Sequence, residues 1–313
     1  MRSSQPSGPD APVLPIPNWG VAASVVVTQW FTDLMLLTKA RANVAVVATT
    51  IVGFALHSDV RANASLVLCT AAGTALLAGS ASIANQAIEH EFDRDMPRTR
   101  NRPIAAGRLG RRAGFALSGL FCVAGCLCLF TGVNLGAMIH GLLALVIYVG
   151  IYTPMKRRSP ACTLVGAVSG ALPLWIGWAA TGTRFGLWAA VTFAVLYLWQ
   201  IPHFMAIAWW RRKEYLRAGY SVLPGHDPDG SRTAGLALVF TLGMLAVSLV
   251  PALTTQVTGW YLPGALVSGI LFSSFAVRFR MVRSETTARA LFLASLSYLP
   301  AMFVLMLLCQ LRD

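Results

Sequence analysis

The fold of this chain is decided by residues 64–103, which read ASLVLCTAAGTALLAGSASIANQAIEHEFDRDMPRTRNRP. The first 25 of these residues carry no charged side chain, and about 20 apolar residues are enough for an α-helix to cross a bilayer. The remainder holds four of the chain's 12 acidic residues, together with four arginines. This pattern predicts a membrane-spanning helix that ends in a cluster of both charges at the membrane surface.

The composition of the whole chain agrees with a membrane location. Its 313 residues are 56% hydrophobic and only 12% charged, which is about half the charged fraction of a soluble domain. The apolar segments cover approximately 42–58, 64–88, 113–131, 135–152, 161–181, 187–210, 233–253, 259–277 and 288–310. Each is predicted as a helix, because lipid cannot satisfy the hydrogen-bonding groups of an open backbone. We therefore predict an all-α fold, a polytopic bundle of about nine transmembrane helices that forms one domain over residues 26–313.

The distribution of basic residues predicts how this bundle is oriented. Of the 25 lysines and arginines, 19 follow even-numbered segments and two follow odd-numbered ones. Because basic loops stay in the cytoplasm, the N-terminus and the loops after even segments are predicted to be cytoplasmic, with Asp313 outside. The net charge of +13 is attributed to this bias rather than to nucleic-acid binding. Residues 1–25 are predicted to be a disordered tail, since they resemble neither a signal peptide nor an arginine-rich transit peptide.

Three polar residues of the charged cluster share one helix face. Asn85, Glu89 and Asp93 are spaced four residues apart, which aligns them over about 12 Å of an α-helix. Two carboxylates and an amide, without His or Cys, offer the oxygen ligands that Mg²⁺ prefers. Arg98 and Arg102 follow, and guanidinium groups match the oxygens of a phosphate. The cluster is interpreted as a Mg²⁺–diphosphate site, and a solvated helix end that neutralises its own charges is the alternative.

A second polar segment closes the fourth apolar segment. Pro154 is expected to end that helix, so that Lys156 and Arg157 lie at the membrane interface. These two residues are candidates for substrate binding. A plain positive-inside anchor is the alternative.

A third polar group lies within and just after the sixth apolar segment. Gln200 and His203 share a helix face at i, i+3 spacing, and such side chains are unfavourable inside a membrane unless they meet partners or a cavity. Glu214 is the next acidic residue along the chain. A buried core histidine is the alternative to a substrate-binding role for His203.

These motifs resemble those of the UbiA superfamily of intramembrane prenyltransferases, and more narrowly its haem-farnesylating branch. The resemblance is carried, across about residues 38–225, by Asn85, Glu89 and Asp93 at their spacing, by Arg98-Thr-Arg-Asn-Arg-Pro103, by Tyr152-Thr-Pro-Met-Lys-Arg-Arg158 and by Trp199-Gln-Ile-Pro-His-Phe204. It implies a nine-helix bundle whose central cavity opens to lipid and is capped on the cytoplasmic side. It also implies metal and catalytic roles for Asn85, Glu89 and Asp93, catalytic roles for Arg98 and Arg102, and substrate binding by Lys156, Arg157, Gln200, His203 and Glu214.

The chain departs from the wider superfamily at its second carboxylate motif. Gln200 and His203 stand where other branches place that motif, and Glu214 stands where related haem enzymes often have Asp before Tyr. The ligands of any second Mg²⁺ therefore stay open.

The resemblance implies transfer of a farnesyl group from farnesyl diphosphate to the vinyl group of haem B, which gives haem O. Mg²⁺ is the implied cofactor, and haem B is a substrate that His203 or His140 could contact. Membrane lipid surrounds the protein, haem A synthase and oxidase assembly proteins are candidate partners, and no nucleic acid is expected. The implied location is the inner membrane of a bacterial cell.

Other functions stay open at this point. A UbiA-type enzyme could use another acceptor, such as a quinone precursor or chlorophyllide. A transporter would use its polar helix residues to line a path, but transporters commonly show repeated halves and ionisable residues at mid-membrane, whereas the acids here gather at one membrane face. A scaffold for oxidase assembly would tolerate the loss of Asp93.

Overall fold

The computed structural model describes residues 19–58, 64–254 and 257–310. Within these ranges the only β-type pairing is an isolated bridge between Val257 and Gln310. The α-helices are α1 (Trp19–Leu37), α2 (Ala40–Ala55), α3 (Ala64–Asp95), α4 (Arg111–Gly132), α5 (Leu135–Val146), α6 (Thr153–Met155), α7 (Cys162–Ala180), α8 (Leu187–Trp210), α9 (Arg212–Arg217), α10 (Ser231–Leu249), α11 (Tyr261–Met281) and α12 (Glu285–Cys309). A π-helical turn, Ile147–Tyr152, joins α5 to α6.

Nine helical units of the described chain can cross a membrane. Eight of them are long and apolar enough individually, and the ninth is the pair α1–α2, which is bent by 54° at a short break. Each of the nine predicted apolar segments coincides with one of these units. The predicted all-α membrane bundle is therefore confirmed.

The predicted N-terminal tail, residues 1–25, lies mostly outside the described part of the chain. Residues 1–18 are not described, and helix α1 begins at Trp19. The sequence GVAASVV after Trp19 holds no proline or charged residue that would interrupt a helix. The disordered tail and the single domain over residues 26–313 stay predictions.

Glycines allow two of the central helices to touch. Helix α2 crosses α7, and a Cβ atom on Gly177 would overlap the backbone carbonyl of Thr50, while one on Gly53 would overlap that of Leu174. Small residues at such crossings permit the close backbone approach that stabilises membrane bundles. Helix α8 packs against α7, α10 and α12, and α3 packs against α4.

The charged loops meet at one end of the bundle. The amide of Ser221 donates to the carbonyl of Lys156 at 2.8 Å, which joins the loop after α9 to the end of α6. An ion pair between Arg212 and Glu285, at 3.4 Å, joins α9 to the start of α12. The basic loops that the sequence places on one membrane face are therefore neighbours in the fold.

Candidate active site

The polar face of α3 lies at this charged end and is buried. Asn85, Glu89 and Asp93 are respectively 0%, 3% and 2% exposed, and their spacing places them on one face, as the sequence predicts. A solvated helix end would expose these groups instead. The low exposure therefore argues against the alternative of a surface charge cluster.

Glu89 is held by a lysine from another helix. The Nζ atom of Lys156 donates to both carboxylate oxygens of Glu89, at 3.0 and 3.2 Å, and Asn85 Nδ2 donates to Oε2 at 2.8 Å. The Lys156 ammonium also lies 4.7 Å from the ring centroid of Tyr152. Burial disfavours the charge on Lys156, but Tyr152 and Glu89 outweigh that effect and raise the pKa of the ammonium above its usual value.

The π-helical turn Ile147–Tyr152 brings this lysine to α3. Pro154 has no amide hydrogen to continue the α-helical pattern, and the hydroxyl of Thr153 donates to the carbonyl of Tyr148, five residues earlier, at 2.8 Å. The same hydroxyl accepts from Asn85 Nδ2 at 3.2 Å. The predicted end of the helix at Pro154 is close to the observed end at Met155.

Asp93 is held by the loop that follows α3. One guanidinium nitrogen of Arg102 donates to both oxygens of Asp93, at 2.9 and 2.7 Å, and the Thr99 hydroxyl donates to the Asp93 carbonyl at 2.9 Å. The same loop is attached to α1, because Arg108 forms an ion pair with Asp33 at 2.8 Å. The loop therefore folds back over the end of α3.

A lysine that the sequence analysis missed completes the cluster. Lys39 lies in the break between α1 and α2, with a left-handed φ of 50°, and its Nζ donates to Asn85 Oδ1 at 2.7 Å. A signal was available in the sequence, since Lys39 and Arg41 are the only basic residues between Arg2 and Arg61. A continuous line of contacts thus runs through Lys39, Asn85, Glu89 and Lys156.

An apolar cavity of about 350 Å³ opens beside this line of contacts. Helices α2, α3, α5, α7 and α8 contribute its walls, and Lys39, Tyr148 and Tyr152 lie among its lining residues. Such a cavity, mostly apolar with polar groups confined to one end, is typical of a site for a long apolar ligand with a charged head.

Gln200 forms part of the wall of this cavity. Its Nε2 donates to the carbonyl of Ala167 at 3.0 Å, and its Oε1 occupies space that a Cβ atom on Gly170 would fill. The small residues of α7 thus make room for side chains of its neighbours. Gly166 does so for the ring of Tyr152.

A second, more polar pocket of about 410 Å³ is lined by Glu89. It is bounded by Arg157 and Arg158 and by Phe92, over whose ring the Arg157 guanidinium stacks at 3.7 Å. Tyr220, from the loop after α9, packs against the same ring at 6.5 Å, and burial raises the pKa of its hydroxyl. Glu89 therefore lines the polar pocket, while its partner Lys156 lies against Tyr148 and Tyr152 of the apolar cavity.

Three residues predicted for the site lie apart from this cluster. Arg98 is exposed. Glu214, in α9, forms a 2.7 Å ion pair with Arg211, the residue directly before this helix. His203 points between α8 and α12, where its Nδ1 lies 2.7 Å from the Ser295 hydroxyl. None of the three lines the apolar cavity, and their predicted roles stay predictions.

His140 lies on α5, 13 residues before Thr153, or about 20 Å of helix. Its predicted contact with haem stays a prediction. Its ring packs against Trp175 and Trp178, at centroid distances of 5.9 and 6.3 Å.

The oxygen atoms of the site suit a hard cation that also binds a second, phosphorylated ligand. No cluster of three or more His, Cys, Asp or Glu side chains that could hold a metal occurs within the described ranges. Asn85, Glu89 and Asp93 instead offer an amide oxygen and two carboxylates. Mg²⁺ is commonly bound by one or two carboxylates and completed by water and phosphate oxygens, so these residues fit Mg²⁺ bound together with a phosphorylated ligand.

A membrane bundle with acids and cations at the mouth of an apolar cavity is the architecture of an intramembrane enzyme for amphiphilic substrates. The sequence matches the model of the UbiA prenyltransferase family over residues 46–305, and the chain belongs to this family. It is accordingly a prenyltransferase.

Curated relatives match over most of their length. The chain is 38% identical to the protoheme IX farnesyltransferase of Opitutus terrae, over 86% of this chain and 92% of the relative. It is 41% identical to the protoheme IX farnesyltransferase of Solibacter usitatus, over 77% and 83%.

Solved structures share the fold at low sequence identity. A digeranylgeranylglyceryl phosphate synthase superposes with a TM-score of 0.76 at 14% identity, over 89% of this chain and 97% of that one. A UbiA homologue from Archaeoglobus fulgidus bound to GPP and Mg²⁺ superposes with a TM-score of 0.65 at 13% identity, over 88% and 99%.

Proposed function

We propose that this protein transfers a farnesyl group from farnesyl diphosphate to a vinyl group of haem B. The observation that carries the proposal is the match to relatives named protoheme IX farnesyltransferase, at 31–41% identity and over most of their length. The geometry supports it, because a buried acidic and basic cluster lies at the end of an apolar cavity that suits a prenyl chain.

The diphosphate end of the reaction is assigned to the α3 cluster. Asn85, Glu89 and Asp93 would hold Mg²⁺, which supplies positive charge to the diphosphate as the allylic C–O bond breaks. Lys156 and Arg102 are placed to donate to the oxygens of the leaving pyrophosphate. Charge stabilisation of this kind is strong where water is excluded, and the low exposure of this cluster provides that condition.

The farnesyl chain is assigned to the apolar cavity. Tyr148 and Tyr152 lie where this cavity meets Lys156, with ring centroids 5.2 Å apart, so an allylic cation formed there would face aromatic rings that attract positive charge. The terminal vinyl carbon of haem B would bond to the farnesyl C1 atom. Water would then add to the second vinyl carbon and lose a proton, which gives the hydroxyethylfarnesyl group of haem O.

The orientation is proposed from the basic loops. Because these loops meet at the end that holds the α3 cluster, the site would face the cytoplasm, as expected for the inner membrane of a bacterium. A transporter is disfavoured, because the buried acids Glu89 and Asp93 lie together at this charged end of the described bundle. A related acceptor in place of haem B is the remaining alternative.

The proposal is tested with the purified, detergent-solubilised protein. Haem B, farnesyl diphosphate and Mg²⁺ are mixed, and haem O is measured by mass spectrometry. We expect haem O with Mg²⁺ and none with excess EDTA, with recovery when Mg²⁺ is restored. Prenyl transfer to a quinone precursor or chlorophyllide, without haem O, would overturn the choice of acceptor.

A further inference from the structure

Each oxygen that could bind a metal is already bonded to a donor of the protein. Lys156 Nζ donates to both oxygens of Glu89, at 3.0 and 3.2 Å, and Arg102 donates to both oxygens of Asp93, at 2.9 and 2.7 Å. Lys39 donates to the Oδ1 atom of Asn85 at 2.7 Å. The three donors come from the α1–α2 break, the loop after α3 and the end of α6.

A metal ion alone would gain little from such a site. To reach Glu89 or Asp93 it must displace a cation, and the displaced ammonium or guanidinium would lose its partner in a buried region, which is strongly unfavourable. A diphosphate alone meets the same difficulty, since Lys156 and Arg102 would have to leave Glu89 and Asp93 to bind it, and these carboxylates would lose their partners. Each ligand singly would therefore leave one protein charge without a partner.

The two ligands together remove this difficulty. The metal would take the carboxylates, and the displaced cations would take the phosphate oxygens, so every charge keeps a partner of opposite sign. The side chains of Lys156 and Arg102 are 17% and 18% exposed, against 4% and 2% for Glu89 and Asp93. The cations are thus the partners with room to move.

We propose that Arg102 and Lys156 occupy the carboxylate oxygens of Asp93 and Glu89 in the free protein and release them to Mg²⁺ only when a diphosphate binds to these two cations. Metal and diphosphate then bind as a pair, and each raises the affinity of the other by the same factor, because coupling between two binding events is reciprocal. Lys39 acts as a positioning residue that holds the Asn85 amide. This inference rests on the proposed function for the identity of the second ligand.

The first experiment measures Mn²⁺, as a probe for Mg²⁺, by equilibrium dialysis in neutral detergent without any diphosphate. We expect weak binding to the parent protein and binding tighter by about tenfold or more in Lys156→Met, since that substitution leaves the Glu89 carboxylate free. Arg102→Met is the second variant and should free Asp93 in the same way. Lys213→Met is the matched control, because Lys213 is an exposed cation at the same end of the bundle for which the described chain shows no ion pair.

The second experiment measures thermal unfolding with Mg²⁺ alone, farnesyl diphosphate in EDTA alone, and both together. We expect the two ligands together to raise the Tm by more than the sum of their separate shifts, and Lys156→Met to lose this excess. Equal Mn²⁺ affinity of the parent and both variants, or additive shifts in Tm, would overturn the exchange. No shift with farnesyl diphosphate and Mg²⁺ together would instead count against the proposed substrate.

Discussion

Two polar groups lie inside the membrane helices, and they differ in what they contact. On α3, the carboxylates of Glu89 and Asp93 bind cations from the end of α6 and from the loop after α3. On α8, Gln200 donates to a neighbouring backbone carbonyl, and His203 bonds to the hydroxyl of Ser295. The partners on α3 are charged, as the proposed exchange for a metal and a phosphate requires, whereas the partners on α8 are neutral. The partners of a polar residue, more than its presence in a membrane helix, therefore indicate a site.

The largest expected effect comes from the α3 carboxylates. Asp93→Asn keeps the shape of the side chain but removes the charge that Arg102 and Mg²⁺ would bind, so the rate of haem O formation should fall by about 100- to 1000-fold. The control is Asp95→Asn, because Asp95 is exposed on the same helix end. Near-parent activity of Asp93→Asn, in protein shown to be folded by gel filtration, would favour a scaffold over an enzyme.

A smaller loss is expected at Lys39. Lys39→Met removes a charge-assisted hydrogen bond to Asn85, worth about 1.5–3 kcal/mol, so the KM for farnesyl diphosphate should rise by about 10- to 100-fold. Initial rates at varied substrate concentration give this value. Arg41→Met is the matched control, since Arg41 is exposed two residues further along, and an equal change in both variants would exclude a specific role for Lys39.

His203 separates the two regions most directly. His203→Ala should lower the unfolding free energy by about 1–3 kcal/mol, through loss of the Ser295 bond and of the stacking on Trp199 at 4.8 Å. Farnesyl diphosphate affinity should stay within about threefold, a change under ~0.7 kcal/mol. Ser295→Ala removes the same hydrogen bond by changing its other partner. If it reproduces the effects of His203→Ala, His203 is a packing residue, whereas a loss of haem use in His203→Ala alone restores its predicted role in binding the acceptor.

The smallest effect is expected at Glu214. Its partner Arg211 lies three residues away, and both side chains are partly exposed, where ion pairs contribute about 0–1 kcal/mol. Turnover of Glu214→Gln should therefore stay within about twofold of the parent. A loss comparable with that of Asp93→Asn would show that Glu214 moves to the site when substrates bind.

The sequence predicts the fold of this protein better than its site. Apolar length alone indicates each membrane span, and four-residue spacing aligns Asn85, Glu89 and Asp93. Spacing does not show which cation pairs with which acid, because Lys156 lies 67 residues from Glu89 and reaches it through the packing of α5 on α7 and α3. Helix α8 shows a second limit of sequence-based prediction. Its sequence is apolar around most of the helix, so it does not indicate which face lines the cavity. The position of His203 between α8 and α12 could therefore not be predicted.

The π-helical turn Ile147–Tyr152 makes the number of residues in α5 part of the active site. Such a turn contains an extra residue relative to an α-helical turn, and each residue of an α-helix corresponds to a rotation of about 100°. Because the turn absorbs its extra residue, deleting one codon within it would restore the regular helix and leave Lys156 facing Glu89. Adding or removing a residue without such a bulge would rotate Lys156 by about 100° about the helix axis, although no side chain of the cluster is altered. The number of residues in this segment therefore matters even at positions where many apolar side chains would serve.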